Sequence, residues 1–161
     1  MCGICGICGI YGTNDPDKTS SMLDAILHRG PDGRRVQNFP WGSLGFCRLD
    51  IFGSVGINQP AISDNKIAVL FNGEIYNLYE LKSLLPGGQK ISDEVDIILE
   101  LFLFYGVECF KLLKGMFAIA IMTPDELILA RDAVGIKPLY MAADKILHFP
   151  LLTIYIYDVL S

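Results

Sequence analysis

The alternation of apolar and polar residues predicts strands at the start, in the middle and near the end of the chain. Small and apolar residues alternate from Cys2 to Tyr11, which favours a buried strand. Two more strands are predicted for the apolar segments Ser43 to Ile51 and Lys66 to Phe71. Asn72-Gly73 follows directly and favours a tight turn, because both residues tolerate a positive φ.

Helices are predicted where apolar residues recur at helical spacing. Asn14 to Asp17 is a turn and helix-start signal, and Ser20 to Leu27 then carries its apolar residues on one face. A short helix is predicted for Leu78 to Leu85. A longer one is predicted for Glu94 to Tyr105, whose carboxylates near the first turn are favoured by the helix dipole.

The last predicted pair of strands is a hairpin of Met116 to Met122 and Leu127 to Arg131, joined at Pro124-Asp125. After a short repeat at its start, the chain contains no further repeat and no low-complexity linker. A chain of 161 residues without such a division is predicted to form one domain.

Composition and charge exclude several classes of function. The chain is 52% hydrophobic and 19% charged, which is typical of a globular protein. Its net charge of −5 and the lack of a Lys/Arg cluster argue against nucleic acid as a partner, because backbone phosphates require a basic face. The apolar stretch from Ile146 to Leu160 is interrupted by Pro150 and is shorter than the roughly 20 residues of a membrane-spanning helix. No membrane association is therefore predicted.

The cysteines indicate a reducing compartment. Three of the five stand within seven residues, which is not the pattern of a secreted disulfide framework, and Met1 to Gly3 does not begin a signal peptide. A cytoplasmic protein is expected. The spacing of Cys2, Cys5 and Cys8 also allows an iron–sulfur site. On an extended strand, however, Cys5 points opposite to the other two, so no metal site is predicted.

Cys2 is a candidate nucleophile because it directly follows the initiator methionine and precedes a glycine. Removal of Met1 would leave Cys2 with a free α-amino group, whose ordinary pKa near about 7.7 suits proton transfer to and from its own thiol. Cysteine is a strong nucleophile, and a nearby base activates it further. The alternative is an incidental small residue close to a terminus.

Seven short motifs follow one another between residue 1 and about residue 140. They are Met1–Ile4, Arg29–Asp32, Arg48-Leu49, Gln59-Pro60, Phe71–Asn77, Gly115–Ala118, and Arg131-Asp132 with Gly135–Tyr140. In this order they resemble the glutaminase domain of asparagine synthetase, a class II glutamine amidotransferase of the N-terminal-nucleophile hydrolase fold. The resemblance implies an α+β fold, namely a four-layer αββα sandwich of two antiparallel sheets.

The resemblance also implies a catalytic group. Cys2 would attack the side-chain carbonyl of glutamine, form a γ-glutamyl thioester and release ammonia. The Asn72 side chain and the Gly73 N–H would form the oxyanion hole, where removal of one donor costs about 10²–10³ in rate. The alternative for Asn72-Gly73 is a hairpin turn without a catalytic role.

A second group of residues would bind glutamine. Arg48 would hold the α-carboxylate in a bidentate fork, a geometry that lysine does not provide. Backbone groups of Leu49 and Ile51 would line the same pocket. Glu74 and a later carboxylate, either Asp93 or Glu94, would hold the α-ammonium. Arg48 is otherwise an ordinary strand-edge arginine and the two later acids ordinary helix-start residues, while the Arg29–Asp32 motif is interpreted as structural support near the site.

The chain departs from the family at its start, because family members carry one Cys-Gly-Ile and this chain repeats it. The segment from Cys5 to Gly12 fits the family frame at least as well as the one that starts at Cys2. In that frame Cys5 would occupy the nucleophile position without a free amine. Cys2 is the predicted nucleophile, because only Cys2 becomes terminal by removal of Met1, and Cys5 is the alternative.

A second departure follows Phe149, where the family continues into a large ATP-using synthetase domain. This chain instead reads Pro150 to Tyr155 and ends at Ser161, without the Ser-Gly-Gly-x-Asp-Ser pyrophosphate loop. We therefore expect a glutaminase domain over residues 2–149 and a divergent apolar tail over residues 150–161, which resembles a truncated or frameshifted end.

The expected ligands and partners follow from the resemblance. Glutamine is the expected substrate, and no cofactor is expected, since ATP and magnesium belong to the synthetase domain. A synthetase domain or subunit is a candidate partner, and a homodimer is a further candidate assembly. The alternative to a glutaminase is a catalytically inactive remnant of the same fold, or a module that binds glutamine without hydrolysing it.

Overall fold

Two β-sheets lie face to face in the computed structural model, which describes residues 4–49, 59–64, 66–142 and 152–157, and only the backbone of residues 4, 5 and 152–157. The smaller sheet has the strand order β1-β3-β2, and the larger sheet has the order β4-β5-β6-β7-β8. The strands are β1 (Ile4–Tyr11), β2 (Gly33–Phe39), β3 (Gly42–Leu49), β4 (Ala61–Ile62), β5 (Ala68–Ile75), β6 (Gly115–Met122), β7 (Leu127–Asp132) and β8 (Leu152–Tyr157). Neighbouring strands are antiparallel, except that β8 runs parallel to β7.

Three α-helices flank the sheets: α1 (Pro16–Ala25), α2 (Leu78–Leu84) and α3 (Glu94–Tyr105). Short 3₁₀ segments cover Leu27–Arg29, Gly88–Lys90 and Gly106–Leu112. Helix α1 begins at Pro16, within the predicted helix-start signal Asn14 to Asp17, because the Asp15 side chain accepts the Lys18 N–H at 2.9 Å and Pro16 takes the first helical position. No helix within the described ranges is both long and apolar enough to cross a membrane.

Strands β5, β6 and β7 of the larger sheet are largely buried on both faces, which explains their nearly continuous apolar sequences. One face packs between the two sheets, where the core is formed by Tyr11, Phe39, Leu44, Phe46, Ala68, Leu70, Ala120, Met122 and Leu129. The opposite face packs against α2 and α3 in a second core that includes Val69, Phe71, Ile75, Phe117, Ile119, Ile121, Leu81, Ile98 and Leu101. Helix α1 covers the outer face of the smaller sheet with the fully buried Leu23. The αββα order of layers implied by the resemblance is therefore confirmed.

Most predicted elements are present, and two differences stand out. The helix Glu94–Tyr105 and the β6–β7 hairpin are confirmed. Strand β2 was not predicted, because its sequence is mostly polar and partly exposed and has no clear period. The tail contributes β8, whose backbone pairs with β7 from Leu152 to Tyr157.

Asp132 connects the end of β7 to β6 and to the following turn. Its carboxylate accepts the backbone N–H groups of Phe117 at 3.1 Å, Ile136 at 2.9 Å and Lys137 at 3.2 Å. The side chain is 2% exposed. Burial by itself raises the pKa of Asp132, but these N–H donors outweigh burial and lower the pKa below its ordinary value. The last motif of the sequence is therefore a carboxylate-centred turn.

We expect Asp132→Asn to lower the free energy of unfolding by about 1–3 kcal/mol, because an amide NH₂ group would face backbone donors that lose their acceptor. In a chain of this size, each kcal/mol lowers Tm by about 2–4 °C. The control Asp125→Asn, in the exposed hairpin turn, should change stability by less than about 0.5 kcal/mol. Equal Tm values for the two variants in thermal unfolding at pH 7 would contradict this role.

The effect of Asp132 should also depend on pH. A lowered folded-state pKa means that the stabilisation is present above the unfolded-state pKa and is lost as the pH falls through the folded-state value. The difference in Tm between the native chain and Asp132→Asn should therefore narrow as the pH falls below 3.8.

Candidate active site

Arg48, Asn72 and Glu74 lie on facing surfaces of the two sheets. Leu44 and Phe46 of β3 point into the core between the sheets, so the period of two places Arg48 on the same inner face. Ala68 and Leu70 of β5 point into that core from the other side, which places Asn72 and Glu74 on the opposing inner face. These three side chains therefore belong to the space between the sheets.

The two strands reach the site from the same end of the sandwich. A Cβ on Gly42, at the start of β3, would lie 3.0 Å from the Met122 side chain, and Met122 is paired with Ala68 at the start of β5. Both strands run from this level through the core toward Arg48 and Asn72. The site consequently lies beyond the core, at the ends of β3 and β5.

Arg48 is held in place by the motif Arg29–Asp32. The Asp32 N–H donates to the Arg48 carbonyl at 3.0 Å, and Pro31 forms an isolated parallel bridge with Arg48. A Cβ on Gly30 would lie 2.4 Å from the Arg48 nitrogen, so this approach requires glycine. The Arg48 side chain is 9% exposed. The position of the motif agrees with the predicted structural support.

Asn72-Gly73 does not form the predicted turn. Strand β5 continues through both residues, which pair with Ala118 and Phe117 of β6, and neither has a positive φ. A Cβ on Gly73 would lie 2.1 Å from the Met116 carbonyl oxygen and 2.8 Å from the Phe117 Cα. Glycine is thus required for the close approach of two strands, and not for the backbone conformation of a turn.

The edge of β5 that faces away from β6 is occupied on both sides of Gly73. The Phe71 N–H donates to Gln59 Oε1 at 2.7 Å, and the Ile75 N–H donates to Glu94 Oε1 at 2.9 Å. Because alternate residues of a strand bond to the same side, the Gly73 N–H points to this edge too. No group in the described part of the chain accepts it. Gly73 therefore presents a backbone donor beside the Asn72 side chain, which is 5% exposed.

Three carboxylates gather at the end of β5 and the start of α3. Burial raises the pKa of Glu94, the Ile75 N–H lowers it, and the nearby charges of Glu74 and Asp93 raise it, with the net shift upward. Asp93 stands at the N-cap position of α3, but its side chain does not cap the helix. Both alternatives of the sequence analysis thus lie in one acidic group with Glu74.

Other predicted site residues lie at or beyond the limits of the described chain. Cys2 and Ile51 are outside the described residues. Leu49 is partly buried at the end of β3, where it pairs with Ile4. The backbone of Cys5 is described, and it pairs with Arg48.

Two buried polar residues that support the site have no role predicted from the sequence. Gln59 is 5% exposed and binds both backbone groups of Phe71. Asn77 binds the backbone at both Leu112 and Lys114, at 2.9 and 3.0 Å, and so connects the start of α2 to the segment before β6. The only signal in the sequence was their position within motifs of the resemblance.

Among the side chains of the described ranges, no group of three or more His, Cys, Asp or Glu residues is placed to hold a metal ion. An apolar cavity of about 340 Å³ lies between the sheets, but its walls do not include Arg48, Asn72 or Glu94. The lining includes Ile7, Leu44, Leu70, Ala120, Leu129 and Leu139.

Two solved structures share this fold. The glutamine phosphoribosylpyrophosphate amidotransferase of B. subtilis, complexed with ADP and GMP, superposes with a TM-score of 0.65 at 22% identity, over 83% of this chain and 38% of that one. An allosteric regulatory enzyme of purine biosynthesis superposes with a TM-score of 0.68 at 24% identity, with the same coverage of the two chains. At these identities the likeness concerns the fold alone.

Sequence relatives are more specific. The chain is 35% identical over 148 residues to asparagine synthetase [glutamine-hydrolyzing] 2 of Bacillus subtilis (strain 168), covering 87% of this chain and 20% of the relative. It is 36% identical over 150 residues to asparagine synthetase [glutamine-hydrolyzing] 2 of Oryza sativa subsp. japonica, covering 88% and 25%. The chain thus spans a fifth to a quarter of the length of these curated relatives.

The family model described as glutamine amidotransferase domain matches residues 1–150. This match covers nearly the whole chain, and it agrees with the sandwich fold and with the relatives named above. The chain therefore belongs to the family of glutamine amidotransferase domains.

Proposed function

We propose that this chain hydrolyses glutamine to glutamate and ammonia, as the glutaminase half of an asparagine-synthetase-like enzyme. The observation that carries the proposal is the edge of β5, where the Gly73 N–H and the Asn72 side chain stand next to the carboxylates of Glu74 and Glu94. This arrangement offers donors for an oxyanion and acceptors for an ammonium within a few residues. Both groups are needed to recognise an amino acid and to activate its side-chain amide.

In this mechanism, the thiolate of Cys2 attacks the side-chain carbonyl carbon of glutamine. The oxygen of the tetrahedral intermediate accepts hydrogen bonds from Gly73 N–H and the Asn72 amide. The α-amino group of Cys2 takes the thiol proton and returns it to the leaving nitrogen, so that the C–N bond breaks and ammonia departs. Water then attacks the thioester, and glutamate leaves with the thiol restored.

Substrate recognition would use a positive charge on the smaller sheet and negative charges at the end of β5 and the start of α3. Arg48, on the inner face of the smaller sheet, would bind the glutamine α-carboxylate, with backbone groups of Leu49 and Ile51 beside it. Glu74 and Glu94 would hold the α-ammonium, with Asp93 adding negative charge. The Ile75 N–H, which donates to Glu94, fixes that carboxylate at the end of β5.

The wider context is also part of the proposal. The names of the relatives suggest that ammonia serves asparagine synthesis in a synthetase domain or subunit, which would bring its own ATP and magnesium. The glutaminase itself would need no cofactor. A cytoplasmic location is proposed from the cysteine content, and a homodimer is a further proposed assembly.

A second candidate function is glutamine binding without hydrolysis. The observation in its favour is the backbone pairing of Cys5 with Arg48, because Cys5 is not terminal when only Met1 is removed. A chain that places Cys5 in the pocket would keep the binding groups and lack the activating amine.

The experiment that separates these functions is intact mass with peptide mapping, after treatment with an electrophilic glutamine analogue. We expect loss of Met1 and one adduct on Cys2, together with ammonia release from glutamine. The matched variant lacks one Cys-Gly-Ile unit, so that its terminal cysteine stands where Cys5 stands now. Activity confined to that shortened chain, or an adduct on Cys5, would contradict the assignment of Cys2.

We expect Arg48→Lys to lower kcat/KM for glutamine by about 10- to 100-fold, mainly through KM, because an ammonium replaces a bidentate fork to the α-carboxylate. Arg34→Lys is the matched control, since Arg34 is exposed on β2 and pairs with Asp24 on the surface. Steady-state kinetics of ammonia release measure both. An unchanged KM in Arg48→Lys would remove Arg48 from the substrate site.

We expect Glu94→Gln to raise KM for glutamine by about tenfold or more, because one negative charge facing the α-ammonium is lost. The stability of the folded Glu94→Gln chain, by contrast, should increase relative to that of the native chain. A raised folded-state pKa means that the folded chain loses stability as the pH rises through the window above 4.5, and glutamine at this position does not titrate.

The Tm of Glu94→Gln should therefore rise relative to that of the native chain as the pH increases above 4.5. Glu100→Gln, on the exposed side of the same helix, is the control and should leave KM unchanged. If Glu94→Gln kept the native KM, Glu94 would be a helix-start acid without a role in binding.

A further inference from the structure

We propose that Gln59 is a positioning residue for the oxyanion hole, because its side chain ends the pairing of β4 with β5 and thereby keeps the Gly73 N–H open. The inference rests on the proposed glutaminase function. Gln59 is not expected to touch glutamine, since both its Oε1 and its Nε2 bind the Phe71 backbone. It would act through the backbone of β5.

The side-chain amide of Gln59 behaves as a strand would. Its Oε1 accepts the Phe71 N–H at 2.7 Å, and its Nε2 donates to the Phe71 carbonyl at 2.9 Å. This is the pair of bonds that a residue of an antiparallel neighbour makes with its main chain. With 5% of its surface exposed, the amide satisfies Phe71 in a place where water does not.

The register of β4 shows what the side chain replaces. Ala61 pairs with Val69 and Ile62 pairs with Ala68, so Gln59 stands at the position opposite Phe71. Strand β4 nevertheless includes only Ala61 and Ile62. An intervening side chain separates the two backbones by more than the usual 4.7–4.9 Å between strands. The main chain of Gln59 is therefore not paired with that of Phe71.

The consequence concerns the next donor along the edge. Main-chain groups of Val69, Phe71, Gly73 and Ile75 point away from β6, and the partners along this edge are β4, Gln59 and Glu94. If β4 continued as a strand in the same register, one of its residues would pair with Gly73 and accept the Gly73 N–H. Gln59 satisfies Phe71 without that continuation, and Glu94 does the same at Ile75. Between them, no group in the described ranges accepts the Gly73 N–H.

The two hydrogen bonds between the Gln59 side chain and the Phe71 backbone also fix the peptide directly before Asn72. Both polar groups of Phe71 are bound, so the strand has little freedom to rotate about the residue that carries the proposed second donor. Loss of the Gln59 donor should shift the two oxyanion donors together. Small misplacements of this kind reduce the rate of the chemical step by about 10²-fold, while binding of the substrate's charged ends continues.

The test compares three variants of the full chain by steady-state ammonia release. Gln59→Glu keeps the shape and accepts the Phe71 N–H, but its ionised carboxylate repels the Phe71 carbonyl. Gln59→Met keeps the volume and makes neither bond. Ser63→Ala is the matched control, because the Ser63 hydroxyl also accepts a β5-side backbone N–H, that of Ile67 at 3.2 Å, at the far end of β4.

We expect kcat of Gln59→Glu to fall about 10- to 100-fold at pH 8, with KM for glutamine within about twofold of the native value. The ratio of its kcat to the native kcat should rise as the pH falls, because a protonated carboxyl regains the donor to Phe71. Gln59→Met should have a low kcat without this recovery, and Ser63→Ala should have native kinetics. Thermal unfolding reports the folded fraction of each variant.

The inference fails if Gln59→Glu matches Ser63→Ala in kcat, or if its deficit per folded molecule is independent of pH and equal to that of Gln59→Met. Either result would make Gln59 a structural clamp only. The proposed function is tested separately. If the native chain releases no ammonia from glutamine, both the proposed function and this inference are contradicted. If the native chain is active and the substitutions of Gln59 leave kcat unchanged, only the inference is contradicted.

Discussion

The close approach of β5 and β6 at Gly73 and Phe117 is the constraint on which the site depends. Antiparallel residues that exchange no hydrogen bonds have Cα atoms only about 4.5 Å apart, and here a Cβ at position 73 would overlap the neighbouring backbone. The N–H of Phe117 is in turn held by the Asp132 carboxylate. A row of contacts therefore runs from the turn after β7, through β6, to the edge of β5.

This row explains why distant motifs occur together in the sequence. The motif that contains Asn72-Gly73 forms the edge of β5, and the Gly115–Ala118 motif lies in β6, which pairs with it. The motif that starts at Arg131 contains Asp132, whose carboxylate accepts the Phe117 N–H of β6. Arg29–Asp32 plays the corresponding part for Arg48 in the smaller sheet. The motifs that carry Asn72 and Arg48 are thus each supported by another motif that binds their backbone.

The elements that could be predicted from sequence are those whose signal is local. Helix α3 was predicted with its observed bounds, because apolar residues at helical spacing lie within twelve residues. Strand β2 was not predicted, since its polar residues face solvent and its pairing with β3 is a tertiary choice. Asn72-Gly73 was assigned to a turn, because the dipeptide suits both a positive φ and a close approach of strands. Only the pairing with Phe117 decides between them.

The residues of the candidate site also differ in how far the sequence alone predicts them. Arg48, Asn72 and Glu74 were recognised by residue type within motifs, but their convergence depends on which face of each strand they occupy, and this follows from the two cores. Gln59, Asn77 and Asp132 bind backbone groups, so their side chains carry no chemical signature of the reaction. Residues of this kind are recognisable only after the backbone partners are known.

The repeated Cys-Gly-Ile cannot be accommodated by sliding β1 along β3. Ile7 and Tyr11 pack between the sheets, whereas the Cys8 thiol faces α1 and lies 3.7 Å from the Thr19 carbonyl. A slip by one unit of three residues would place Cys, Gly and Ile on positions that already hold the same residue types, but it would move Tyr11 from the inner to the outer face, because side chains alternate with a period of two. The core therefore fixes the register that pairs Cys5 with Arg48. Which cysteine serves as nucleophile must then be decided at the terminus, where only one residue carries the free amine.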